Sequence, residues 1–126
     1  MPPPAPLPSH VFKILLSAPP SPLPKALPLS KLDAQDSFIH LSTGAQVPGT
    51  ASRFFAQTNL LYLLKIPVRK LEEGEGELKW EENNTEWFPH LYGADIGADE
   101  VHEVIKVERN EAKGWEDVLT GVLEKH

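Results

Sequence analysis

Apolar residues recur along this chain in two rhythms, every second position in some stretches and every third or fourth in others. The rhythms predict the elements. His10-Val-Phe-Lys-Ile-Leu-Leu16 is rich in β-branched and aromatic residues and reads as a first strand. Asn59-Leu-Leu-Tyr-Leu-Leu-Lys-Ile66 is a nearly continuous apolar run, too short for a lone helix and typical of a buried strand. Leu78-Lys-Trp-Glu-Glu82 alternates, with Leu78, Trp80 and Glu82 on one face and Glu81 on the other, and Val101 to Val107 alternates as the last strand. Helical spacing occurs twice. Val47, Ala51, Phe54 and Phe55 follow the pattern of a core-facing stripe and predict a helix from Pro48 to about Ala56, with Arg53 off the stripe. Pro48 suits the first helical position, and Thr43-Gly-Ala-Gln46 before it matches a capping box. Gly114 to Glu124 predicts a second amphipathic helix, with Trp115, Val118, Leu119, Val122 and Leu123 on one face.

The segments between are punctuated by proline and glycine. Ten of the thirteen prolines lie in the first 28 residues, so residues 1–9 read as a disordered tail and residues 10–126 as a single domain. Ala18 to Leu29 should be a surface connection without regular helix or central strand, ending in a short turn around Leu29 to Leu32. Asp33 to Ser37 then leads into the central strand, Phe38 to Leu41. Glu72 to Glu77 alternates acid with glycine and reads as an exposed loop, and Asn83-Asn-Thr85 as a turn. The order β, β, α, β, β, β, α lacks the regular alternation of a parallel sheet, so the fold class is α+β.

Chemistry concentrates in two short stretches. In Phe38-Ile-His-Leu-Ser-Thr43, alternation puts Phe38, His40 and Ser42 on one face; in Phe88-Pro-His-Leu-Tyr92 it does the same for Phe88, His90 and Tyr92. Pro89 predicts an edge or irregular segment for the second stretch. Each carries an aromatic, a histidine and a hydroxyl, and a buried polar group costs a few kcal/mol unless paired. Adjacent in the fold, the two stretches would form one pocket. The bland reading is a pair of hydrogen-bonded structural histidines, with Ser42 and Thr43 capping the turn that follows. Glu81 beside Trp80 is the candidate acid, or else a solvated charge. Nothing among the five histidines has His-x-His or His-x₃-His spacing, so no metal is assigned. No Gly-x-Ser-x-Gly elbow presents a nucleophilic serine, and no phosphate-binding glycine fingerprint is present.

Composition narrows the function classes. Twelve basic residues against eighteen acidic ones give a net charge of −6, which argues against general binding to long nucleic acid or to an anionic membrane. Cysteine is absent, removing disulfides and thiolate metal sites. No stretch approaches the roughly 20 apolar residues that span a bilayer, and the N-terminus lacks signal-peptide organisation; a soluble, cytoplasmic protein is the expectation.

Four blocks, Phe38-Ile-His-Leu-Ser-Thr43, Gln46-Val-Pro-Gly-Thr-Ala51, Leu78-Lys-Trp-Glu81 and Phe88-Pro-His-Leu-Tyr-Gly93, closely resemble in order and spacing the signature of domain-of-unknown-function family 952. That family is remotely similar to the ADP-ribosyltransferase-like fold. The resemblance implies a small split β-sandwich of about six strands with two main helices, binding NAD in a cleft between its sheets. On that resemblance His40 and Ser42 match a His-x-Ser motif that holds a ribose and the nicotinamide amide, Tyr92 would be the stacking ring, and Glu81 the acid that stabilises an oxocarbenium-like transition state. His90 instead is similar to the histidine of a branch acting on RNA 2′-phosphates. Thr43 and Arg53 complete the expected ligand-binding set around catalytic His40, Glu81 and His90. The family's helix after the first strand should be shortened or lost here, because that stretch is proline-rich. The expected function is binding of NAD or a related nucleotide with transfer of ADP-ribose or cleavage of the N-glycosidic bond. The alternative is a non-catalytic module for a small ligand or a modified residue.

Overall fold

The computed structural model describes residues 6–83 and 86–126. In chain order they form β1 (His10–Leu15), α1 (Lys31–Asp36), β2 (Ile39–His40), β3 (Ser42–Thr43), α2 (Val47–Phe54), β4 (Leu60–Pro67), α3 (Val68–Glu73), β5 (Glu77–Asn83), β6 (Glu86–Tyr92), β7 (Glu103–Glu108) and α4 (Trp115–Leu123). The seven strands make a large sheet of order β3-β1-β4-β7 and a small one of order β2-β6-β5, with every pairing antiparallel. The class is α+β, as the pattern implied.

Alternation distributes the core. On one side of the large sheet Val11, Leu64 and Ile66 pack with Ile39, Leu41, Trp80 and Leu91 of the small sheet's inner side, joined by Val68 and Leu71 from α3. The opposite side, with Phe12, Leu61, Leu63, Ile105 and Val107, is covered by Val47 and Ala51 of α2 and Trp115 and Leu119 of α4. Trp115 is fully buried, and its indole N–H donates to the carbonyls of Phe55 (2.9 Å) and Thr58 (3.0 Å), so the largest core side chain leaves no polar atom unpaired. The layers are therefore small sheet, large sheet, helices. The small sheet's outer face bears the histidines.

Several expectations change. The central strand placed at Phe38 to Leu41 is instead two edge strands in two sheets: β2 ends at His40, Leu41 donates its N–H to the Pro89 carbonyl (3.1 Å), and the chain crosses to pair Ser42 and Thr43 with β1. The segment containing Pro89 is the middle strand of the small sheet, not an edge. A residue's N and C=O project toward the same neighbour in an antiparallel ladder. Pro89 therefore turns its donorless nitrogen toward β2, which pairs for only two residues and has ended there.

Two six-residue helices, α1 and α3, stand where a turn and unassigned chain were expected. Of the two phenylalanines assigned to the core stripe, Phe54 is 63 % exposed and Phe55 packs inward as expected. Between Ala18 and Leu29 there is no helix or strand, and this connection docks through Leu27 N–H to the Ile96 carbonyl and Ala98 N–H to that of Pro24. Of the N-terminal stretch, residues 1–5 lie outside the described ones, as do Asn84 and Thr85 of the expected turn. Ser9 is tied in, its carbonyl accepting from Val68 N–H (2.9 Å).

Candidate functional site

β2 and β6 pair with His40 opposite His90, so alternation from both strands brings the two rings to the outer face of the small sheet. Their centroids are 5.3 Å apart, near edge-on. Phe38 lies 4.5 Å from His40, 4.4 Å from His90 and 4.9 Å from Tyr92, making one cluster of four rings. Alternation puts Phe38 with His40 and His90 with Tyr92; the pairing of β2 with β6 is what joins the two sets on one face.

Each histidine is held from behind by carboxylates. α1 begins at Ser30, whose hydroxyl accepts from Asp33 N–H (3.1 Å), and stops at Ser37, which adopts the left-handed conformation (φ 65°) and turns the chain into β2. That one and a half turns buries Asp33, only 2 % exposed. Asp33 Oδ1 accepts from the His40 backbone N–H (3.1 Å) and from its ring Nδ1 (2.7 Å), while Oδ2 pairs with Lys13 Nζ at 2.6 Å. Lys13 in turn donates to the His40 carbonyl (3.2 Å). Burial works to raise the Asp33 pKa, but the hydrogen bonds from His40 and Lys13 and the Lys13 charge outweigh it and hold Asp33 at about 2. It is a carboxylate at any physiological pH. Asp36, half exposed at the end of α1, places Oδ2 3.0 Å from His40 Nε2.

His90 is supported from β5. Glu81 Oε1 accepts from His90 Nδ1 (2.8 Å) and from the Tyr92 hydroxyl (2.6 Å). These two hydrogen bonds, Tyr92's the larger, hold the Glu81 pKa below its ordinary value, and the same bond pushes the Tyr92 phenol up to about 12. Burial lowers the His90 pKa; Glu81 pulls it upward and the nearby His40 downward, and the balance stays below the ordinary value. A neutral imidazole that donates from Nδ1 keeps its lone pair on Nε2. His90 Nε2 has no hydrogen-bond partner among the described residues. The arrangement is a carboxylate-oriented imidazole, built to accept a proton or to bind a donor.

The other expected site residues are elsewhere. Ser42 is the cross-strand partner of Phe12 and so shares the helix-covered face of the large sheet, on which it is buried. It cannot join His40, because the sheet change at Leu41 resets the alternation. Thr43 and Gln46 make the expected reciprocal bonds: Thr43 N–H to Gln46 Oε1 (3.0 Å) and Gln46 N–H to Thr43 Oγ1 (3.2 Å). Arg53 is exposed in the last turn of α2, in the helix layer beyond the large sheet, with its guanidinium 5.8 Å from the Phe54 ring. The cleft expected between the sheets is filled by the apolar core described above. Surface hollows of about 500 and 430 Å³ lie around Ser9 and His10 and contain none of the four clustered rings.

Sequence reasoning missed Asp33, Asp36 and Lys13. Two signals pointed to them. Ser30-Lys-Leu-Asp33 has the hydroxyl-x-x-acid spacing of a helix start. Lys13 alternates in phase with inward-facing Val11, and an ammonium aimed at a core requires an acid. Among the described residues, no group of three or more His, Asp or Glu is placed to hold a metal ion, and no helix is long and apolar enough to cross a membrane.

A two-sheet α+β domain with a carboxylate-backed histidine pair on its smaller sheet is thus the class that fold and site define. The chain belongs to the family described as protein of unknown function DUF952, whose model matches residues 24–104 and so includes α1 and both histidine strands. Among solved structures it is similar to the X-ray structure of protein CC0527 from Caulobacter crescentus, at 28 % identity and a TM-score of 0.67, covering 88 % of this chain and 98 % of that one. A double mutant of that protein matches at 27 % identity with the same TM-score and coverage. No curated protein matches the chain.

Proposed function

We propose that the His40–His90 face binds a nucleotide, NAD being the first compound to test, and that His90 is its acid–base group in cleavage of the N-glycosidic bond or transfer of ADP-ribose. The observation that carries this reading is the Glu81-held His90 with Nε2 unpaired beside His40. The remote similarity of the family to the ADP-ribosyltransferase-like fold, as implied by the resemblance, is the reason for choosing NAD as that compound. In the proposed step the bond between nicotinamide nitrogen and ribose C1′ breaks, and nicotinamide leaves with the electron pair as a neutral base. Water or an acceptor hydroxyl adds to C1′, and its proton passes to His90 Nε2. Glu81 holds the His90 tautomer and its negative charge favours the cationic sugar. Tyr92 fixes Glu81 through its hydroxyl.

One observation favours a second reading, a non-catalytic binding module: the apolar filling between the sheets leaves an open face rather than an enclosed, water-excluding cleft. Calorimetric titration with NAD, ADP-ribose and nicotinamide, on wild type and on the His40→Ala/His90→Ala double variant, separates the cases when joined to an assay for nicotinamide release. Binding lost in a folded double variant together with nicotinamide release supports the enzyme. Binding without release supports the module. A folded wild type that binds none of the three removes NAD as the ligand.

A further inference from the structure

On the outer face of the small sheet, the His40 ring already meets carboxylates of the protein's own at both nitrogens. Asp33 and Asp36 both contact the His40 ring but stand differently. Asp33 is buried, meets Nδ1, and is fixed by Ser30, Lys13 and the His40 backbone. Asp36 is 37 % exposed and sits at Nε2, the nitrogen away from that clamp. Beside it on the same face are His90, with Nε2 unpaired, and Lys79, the register partner of His90, whose ammonium lies 4.6 Å from the Tyr92 centroid. Lys79 has no carboxylate within ion-pair distance among the described residues.

We propose that the region bounded by His40 Nε2, His90 and Lys79 receives a phosphate-type oxyanion of the ligand, and that the Asp36 carboxylate is its internal competitor. The inference rests on the nucleotide reading above and names the part of the ligand this region takes. A carboxylate already at His40 Nε2 shows that the spot accommodates an oxygen anion. A phosphate there can also meet the Lys79 ammonium, which a carboxylate on α1 does not reach, while a protonated phosphate oxygen can donate to the His90 Nε2 lone pair. Asp33 is a positioning residue: its two bonds fix the ring whose far nitrogen the oxyanion meets. The groups facing His40 are Lys13 from β1, Asp33 and Asp36 from α1, Lys79 and Glu81 from β5, and His90 and Tyr92 from β6. Among these only Asp36 blocks Nε2.

The two aspartates on one ring then act with opposite signs. The test is an NMR titration of the histidine ring signals with inorganic phosphate, and separately with ADP-ribose, at fixed ionic strength in wild type, Asp36→Asn and Lys79→Gln. Both substitutions are at the surface, so the fold is retained. Asp36→Asn should tighten phosphate by about fivefold, the scale of one exposed ion pair. Lys79→Gln should weaken it by a similar factor, with His40 and His90 signals moving in all three proteins. Unchanged or weaker phosphate binding in Asp36→Asn overturns the proposal. So does a response confined to histidines other than these two. Phosphate binding that follows the expected order while ADP-ribose fails to bind would sustain the oxyanion site and remove the nucleotide reading.

Discussion

Replacing Asp33 by asparagine removes one buried charge and almost nothing else. The side chain keeps its size, and its amide oxygen can still accept from His40. What is lost is the carboxylate that pairs with Lys13 at 2.6 Å and holds itself at about 2 rather than 3.8. That drop, at about 1.4 kcal/mol per tenfold change in proton affinity, corresponds to about 2 kcal/mol of stability carried by the ionised form. The two ends of the pair do not agree, because burial pushes Lys13 below its ordinary pKa despite the pull of Asp33. Some of the gain at Asp33 is thus offset at Lys13. Against this, removing one partner of a buried pair leaves the other charge unpaired, which is costly in its own right. We take about 2 kcal/mol as the expected loss for Asp33→Asn at pH 7. Since the folded pKa lies below the unfolded one, this stability is fully present above about pH 4 and disappears as pH falls through about 2. Urea unfolding of both proteins at pH 7, 5, 3 and 2 tests the argument. The gap should narrow toward pH 2, where wild-type Asp33 takes up a proton. A gap equally large at pH 7 and pH 2 would refute the charge argument and assign the effect to packing.

Two other predictions follow from named contacts. Glu81 opposes the lowering of the His90 pKa, so Glu81→Gln should move the His90 titration midpoint further down; an unchanged or raised midpoint by NMR would dissociate His90 from Glu81. Gly97 lies against the backbone of Pro24 and Lys25, where a Cβ would clash with both carbonyls, so Gly97→Ala should cost about 1–3 kcal/mol in thermal or urea unfolding by displacing the proline-rich connection. An alanine variant as stable as wild type would show that this connection is not pinned there.

Local pattern made most of the architecture legible. Alternation correctly set Glu81 on the face of β5 opposite Trp80 and put His90 and Tyr92 on one face of β6, because a half-buried strand reveals its two faces residue by residue; it did not show that this face is the outer one rather than the wall of a cleft between the sheets. It failed at Phe38 to Thr43 for a definite reason. Periodicity reports which way a side chain points from its strand, not which sheet the strand joins, and a change of sheet at Leu41 leaves no mark on the rhythm. The six-residue helices α1 and α3 are too short for a helical period to stand out. Asp33 was visible only as part of an acidic approach, because its importance comes from contacts 20 residues back to Lys13 and seven forward to His40.

The change of sheet also accounts for Thr43, first assigned to the ligand. Where β2 stops, the middle strand β6 is left with carbonyls facing a neighbour that has gone. A buried unpaired acceptor is costly, and two groups from the crossing segment meet it: Leu41 N–H serves Pro89, and Gln46 Nε2 serves Trp87 at 2.9 Å. Gln46 can reach there because its Oε1 is held by Thr43 N–H and its own N–H by Thr43 Oγ1. Thr43 in turn is paired with Val11 in the large sheet. The Thr43–Gln46 pair is thus a cross-link between the sheets, with both partners' polar groups occupied. On this argument the Thr43 hydroxyl helps hold the pivot from which His40 projects, and the chemistry of the face belongs to His40, His90 and the acids around them.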